Sequence, residues 1–200
     1  PATAQDQLAP AVVAFLERIR TATYRRPTGT PPVVWALDEA ANIAPLPNLP
    51  AIVSEGGGQG LVTLCCLQDL SQARQRWGAA ADGFLSLFAA KLILPGIGDL
   101  KTLELVSALA GEHDVTHTTV SRPTGMRILW PKGSTASTST GTQRRRVLPV
   151  DAVAHGHPGM GLVILGPRPP AWLRLTPWWT PPWDRIARPP TQTQFPTTNP

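Results

Sequence analysis

The stretch Val33-Val34-Trp35-Ala36-Leu37-Asp38-Glu39 decides how this sequence is read. Its apolar part does not alternate with polar residues, which predicts a strand covered on both faces, as in a parallel sheet. Two carboxylates close it. The carboxyl ends of parallel strands open onto the ligand crevice of an α/β sheet, and an apolar strand ending there in Asp-Glu is the Walker B arrangement. Asp38 is then the candidate holder of Mg2+ through water, because magnesium keeps part of its hydration shell. Glu39 is the candidate for orienting and polarising an attacking water. Many strands also end in acidic caps, so the motif needs its surroundings.

Working outward, Leu61 to Leu67 is a second apolar run, and it ends at Gln68. A carboxamide at the tip of the strand beside Asp38-Glu39 is placed to bond both a γ-phosphate and a water. Gln68-Asp69-Leu70-Ser71-Gln72 also resembles a helix cap. Upstream, Leu8 to Arg26 has Val12, Val13, Leu16 and Ile19 at helical spacing, followed by a turn-rich break to Pro32. Leu49 to Ser54 reads as a helix ended by Gly56-Gly57-Gly58, and further helices are expected over Leu70–Trp77 and Asp82–Phe88. Lys91 to Leu94 is a third strand. Asp99 to Gly111 is a helix with Asp99 as N-cap and Gly111 just past its end. Strands alternating with helices predict an α/β domain with a mostly parallel sheet.

Beyond this core, residues 33–120, Val115 to Ser121 has the threonine alternation of an edge strand. Residues 121–143 are expected to be a flexible loop, serine-, threonine- and glycine-rich from Gly133 to Thr142. Closing strands fall within 144–180, at Leu162–Leu165 and Trp172–Leu175, and residues 181–200 read as a disordered tail. Residues 1–32 supply the leading helix and linker.

Composition narrows the partners. The 200 residues carry a formal charge of +5, almost wholly from arginine, which favours nucleotide, nucleic acid or anionic lipid headgroups. A biased genome composition gives the same excess. Cys65 and Cys66 are the only cysteines; neighbours on a strand point to opposite faces, so neither a disulfide framework nor a thiolate metal cluster is expected. That usage fits a reducing compartment. No run of 18 apolar residues occurs, so neither a membrane span nor a signal peptide is expected within these residues. The sequence opens on Pro1, which leads us to expect a longer parent polypeptide.

Leu37-Asp38-Glu39-Ala40-Ala41-Asn42-Ile43, then Pro47-Asn48-Leu49, then Gln68-Asp69-Leu70-Ser71-Gln72 together resemble the TraG/TraD-type coupling proteins of conjugation and type IV secretion. The likeness continues through Gly98-Asp99, Thr102 and Ser107–Gly111, and is fainter at Arg146-Val147-Leu148 and Pro169-Pro170. It implies the C-terminal ATPase and TraM-recognition region of a RecA-like motor. Such motors form a hexameric ring on the cytoplasmic side of the inner membrane. They use ATP and Mg2+ to deliver DNA, relaxosome or protein substrates to a secretion channel. By the resemblance Asp38, Glu39 and Gln68 all bind the nucleotide, as magnesium, water-activating and sensor residues respectively. Two other readings stay open: an FtsK- or HerA-like DNA translocase, and a non-catalytic docking module on a degenerate ATPase core.

Two departures from the family pattern stand out. The turn Glu55-Gly56-Gly57-Gly58-Gln59-Gly60 has Gly57 where the resemblance calls for a finger arginine, and Arg74 or Arg76 are the candidate substitutes. No Gly-x-x-x-x-Gly-Lys-Ser/Thr occurs; Gly96-Ile97-Gly98-Asp99-Leu100-Lys101-Thr102 lacks the needed glycines, so Lys101 and Thr102 read as first-turn helix residues. The phosphate-binding loop is expected upstream of Pro1. ATPase activity is therefore expected only when that half is joined, and weak ATP binding without it.

Arg144-Arg145-Arg146 is the candidate nucleic-acid contact, or else a solvated charge run. Trp172, Trp178, Trp179 and Trp183, interleaved with arginines, either stack on a single strand or pack across the domain. His113 with His117, and His155 with His157, lack carboxylate or cysteine partners at metal-ligand spacing.

Overall fold

A computed structural model of the chain describes residues 2–121 and 137–187. Helix α1 (Ala2–Tyr24) leads into strand β1 (Val33–Leu37), followed by α2 (Ala40–Ile43), α3 (Leu49–Gly56), β2 (Leu61–Cys65), α4 (Leu70–Trp77) and α5 (Phe84–Leu87). Next come β3 (Ala90–Ile93), α6 (Leu100–Leu109), β4 (Glu112–Ser121), β5 (Ser137–Arg146), α7 (Val150–His155), β6 (Met160–Leu165), β7 (Ala171–Arg174) and α8 (Trp183–Ala187).

β1 and β2 pair in parallel, with Val33 opposite Leu61 and Leu37 opposite Cys65. Side chains alternate between the faces of a strand. Trp35, Leu37 and Leu61 therefore turn inward onto Leu46, Leu49 and Ile52, with Leu16 of α1 in the same cluster. Val34, Val62 and Leu64 lie on the other face and are exposed. The sequence predicted a strand covered on both faces; among the described residues one face is covered.

The expected mostly parallel sheet is also corrected. β6 runs antiparallel to both β3 and β7, and β4 runs antiparallel to β5. β6 and β7 are joined by residues 166–170 alone, and so short a connection permits only antiparallel pairing, since parallel neighbours need a crossover of a dozen residues or more. Apolar runs such as Leu162–Leu165 carry no mark of strand direction. The α/β class stands, with one parallel pair, one antiparallel sheet and one antiparallel ribbon. Ile93, Leu162 and Ile164 of the antiparallel sheet pack with Leu103, Val106 and Val153 in a second core cluster.

Serine and threonine misled the reading near the ribbon. Ser137–Gln143, expected as loop, belong to β5, where Thr140 and Thr142 face Thr118 and Thr116. Cross-strand threonine pairs stabilise sheets, so the same residue type serves strand as well as loop. Trp183–Ala187 forms a short helix inside the expected tail. Of those two expectations, residues 122–136 and 188–200 lie outside the described residues.

The first core is joined to α6 by polar contacts. Asp99 caps α6, accepting from the Thr102 amide at 3.0 Å, and its carboxylate also meets Arg74 of α4 at 2.5 Å. Thr102 Oγ1 donates to Asp99 and accepts from the Leu70 amide at 3.1 Å. Trp77 Nε1 donates to the Leu46 carbonyl at 2.8 Å, and its ring stacks on Phe84.

Candidate functional site

Because β1 and β2 are parallel, the chain leaves both strands at one edge. The strand ends are tied there: the Cys66 amide donates to the Leu37 carbonyl at 2.9 Å, and the Ala40 amide to the Cys66 carbonyl at 3.1 Å. Asp38 and Glu39 leave β1 at this edge, and Gln68 lies just beyond β2 at the same edge. Asp38 is exposed and Glu39 half-buried. Among the described residues, no ion pair or side-chain hydrogen bond engages either carboxylate.

Glu39 has φ 48° and ψ 47°, and it is the one non-glycine residue with positive φ among those described. The left-handed conformation costs a residue with a Cβ roughly 1–2 kcal/mol. It is held by the amides of Asn42 and Ile43, which donate to the Glu39 carbonyl at 2.8 and 3.0 Å. The chain thus turns from strand into α2 within two residues, leaving both carboxylates on the rim of the sheet. Uncommon backbone geometry of this kind concentrates at functional positions.

Gln68 sits in the link between β2 and α4. Its amide donates to Gln72 Oε1 at 3.2 Å, and its side chain is exposed. Asp69 caps that helix by accepting from the Ser71 amide at 2.7 Å. The motif is therefore a cap made by Asp69, and Gln68, expected at the tip of a strand running to Leu67, lies three residues past the end of β2 at Cys65.

The two arginines suggested as finger substitutes are engaged elsewhere. Arg74 is committed to Asp99, and Arg76 Nε donates to the Ala41 carbonyl at 3.0 Å. Gly57 lies in the turn before β2, where the Val33 amide meets the Gly60 carbonyl at 2.9 Å. That turn is at the opposite end of the strand pair from Asp38, a strand length of roughly 16 Å away. Lys101 stands within 3.9 Å of Asp82 at the surface, and Thr102 is buried, so this near-match to a phosphate loop is a helix's first turn.

The arginines of β5 are split by strand alternation. Arg144 and Arg146 share the face of Glu112 and Asp114, whereas Arg145 lies on the other face, opposite His113. Arg144 Nε is 3.5 Å from Glu112, and Arg146 Nη1 donates to Ser107 Oγ at 3.1 Å. His155 Nδ1 contacts the Asp151 carbonyl at 2.8 Å, and His157 packs edge-on against Trp172. Among the described residues no group of three or more His, Cys, Asp or Glu is placed to hold a metal. Magnesium does not require one, since one or two carboxylates with nucleotide phosphates and water suffice. Asp38 and Glu39, hard oxygen donors with no side-chain partner among the described residues, fit that requirement.

The family described as the TraM recognition site of TraD and TraG matches residues 32–157. The chain belongs to this family, the C-terminal region of TraG/TraD-type coupling proteins. Among solved structures, the bacterial conjugative coupling protein TrwBdeltaN70 in its unbound monoclinic form superposes with a TM-score of 0.64 at 23% identity, covering 86% of this chain and 39% of that one. The plasmid coupling protein TrwB bound to the ATP analogue ADPNP gives 0.64 at 24%, covering 86% and 37%. TrwB with ADP and Mg2+ gives 0.61 at 23%, covering 86% and 38%. At these identities the likeness establishes the fold. The chain spans about two fifths of the length of the TrwB structure first named. No curated protein matches. No helix among the described residues is long and apolar enough to cross a membrane.

Sequence reasoning found the Asp99 cap and put Asp38, Glu39 and Gln68 forward as candidates. It missed Thr102 as the pin between α4 and α6, and Arg74 as the partner of Asp99. Asp99-x-x-Thr102 was visible as a cap, but its link to Leu70, 32 residues away, leaves no local trace.

Proposed function

We propose that this chain is the carboxylate-bearing part of a RecA-like coupling ATPase, which uses ATP hydrolysis to recruit and translocate DNA or protein during conjugation. The single observation behind this reading is the convergence of Asp38, Glu39 and Gln68 on one edge of the parallel pair β1–β2. The TrwB structures with ADPNP and with ADP and Mg2+ support it as relatives in fold.

Asp38 would hold Mg2+ through water, its carboxylate being exposed at the strand tip. Glu39 would orient the attacking water and draw its proton. Gln68 would donate its amide N–H to a phosphate oxygen and accept from the same water. Bound magnesium supplies neutralisation of charge on the phosphate oxygens. Backbone amides and a lysine provide most phosphate affinity, and no such loop occurs in this sequence. The site is accordingly completed by chain beyond these residues. Assembly as a ring at the membrane belongs to the same proposal.

A docking reading is favoured by the family's own description as a TraM recognition site, and by Gly57 in place of an arginine. The deciding experiment measures ATP hydrolysis by the full-length protein, with and without single-stranded DNA, against Glu39→Gln. Hydrolysis stimulated by DNA and reduced a hundredfold or more in the variant, about 2.7 kcal/mol in barrier, supports the motor. Nucleotide binding without turnover in the parent protein shifts the assignment to docking.

A further inference from the structure

The β4–β5 ribbon sorts its charges between two faces. On one face Glu112 and Asp114 stand directly opposite Arg146 and Arg144, two acids against two cations. On the other, Arg145 is opposite His113, Gln143 opposite Val115, and Gly141 opposite His117. Among the described residues this second face has no carboxylate. There Arg145 contacts a neutral partner, Gln143 Oε1, at 3.2 and 3.4 Å, and its side chain remains exposed. The face continues into an open groove of about 630 Å3 at the ribbon's base. His113, Arg145 and Arg146 line it together with the apolar Val115, Val147, Pro149 and Val150.

We propose that this groove and the Arg145 face bind a single nucleic-acid strand. A phosphate is seated on Arg145 and Gln143, and a sugar or base rests on the Val115–Val147–Pro149 floor. The guanidinium fork matches phosphate oxygens in a bidentate way. Neutral donors, Gln143, Thr119 and Ser139, follow along the same face at strand spacing and suit a repeating anion that carries one charge per unit. An apolar lining beside the guanidiniums of Arg145 and Arg146 fits a ligand that is part ring and part phosphate. In a duplex the bases are stacked away from such a floor; in a single strand they are free to meet it. Arg144, expected from the sequence to act with Arg145, is set apart by its pairing with Glu112 on the opposite face, whereas Arg146 lines the groove while donating to Ser107.

The choice of nucleic acid rests on the coupling-protein reading, but the test is independent of ATP. Fluorescence anisotropy with a labelled 25-nucleotide oligo-dT, without nucleotide, would compare the unmodified chain with Arg145→Ala and Arg144→Ala across a salt series. We expect Arg145→Ala to weaken binding about tenfold and to reduce the magnitude of the log–log salt slope by about 0.7. Arg144→Ala, on the neutralised face, should stay within about twofold of the parent. An abasic oligomer of equal length should bind several-fold more weakly than oligo-dT. Equal losses for the two variants, or none for either, would overturn the proposal. So would duplex binding as tight as single-strand binding, or competition by poly-glutamate as effective as that by oligo-dT. A protein that fails to hydrolyse ATP yet shows the Arg145 effect leaves this assignment intact.

Discussion

Thr102→Val should destabilise the protein by about 2–4 kcal/mol while leaving its packing almost unchanged. Thr102 is 4% exposed, and its hydroxyl both accepts from the Leu70 amide and donates to the Asp99 carboxylate. Valine nearly matches threonine in shape, so no large cavity forms. Its methyl group instead strands the buried Leu70 N–H, at about 1–3 kcal/mol. Loss of the hydrogen bond to Asp99 adds about 1 kcal/mol, because that carboxylate retains Arg74 and the Thr102 amide. Against a typical total of about 5–15 kcal/mol, this is a large fraction. Urea unfolding followed by tryptophan fluorescence should show the midpoint falling by about 1–2 M. Thr102→Ser keeps the hydroxyl, loses one methyl, and should cost only about 1 kcal/mol. Hydrogen exchange at Leu70 should accelerate in the valine variant, two residues from Gln68. A valine variant within about 0.5 kcal/mol of the parent, or a serine variant as damaged as the valine one, would refute the reasoning.

Two further outcomes concern titrating groups. The Thr102 hydroxyl, then the Arg74 guanidinium, holds the Asp99 carboxyl below its ordinary value. Its contribution to stability is therefore complete above about pH 3.9 and lost as the pH falls through the lowered folded value. Asp99→Asn should flatten the acid limb of stability against pH between about 5 and 2, and an unchanged limb would contradict the assignment. Burial, with a smaller contribution from Cys66, pushes the Cys65 thiol up to about 11, whereas Cys66 is exposed. A thiol reagent at pH 8 should modify Cys66 rapidly and Cys65 only on unfolding; equal rates for the two would count against the strand placement.

Much of the candidate site was legible because it is written in neighbouring residues. β1 follows from an apolar run, its terminal carboxylates from the next two positions, and the Asp99 cap from one residue before a periodic helix. β5 was misread at Ser137–Gln143, since serine and threonine are shared between loops and ribbon strands, and only the facing threonines of β4 distinguish them.

The sequence by itself determined the α/β class and membership of the coupling-protein family, and it put Asp38, Glu39 and Gln68 forward as candidates. These rest on local order along the chain, which survives in any conformation. Only the tertiary structure decided that β3, β6 and β7 pair antiparallel, that Arg74 serves Asp99, and that Arg145 stands apart from Arg144. Strand direction and charge pairing depend on which distant segments meet, and no single segment encodes its partner.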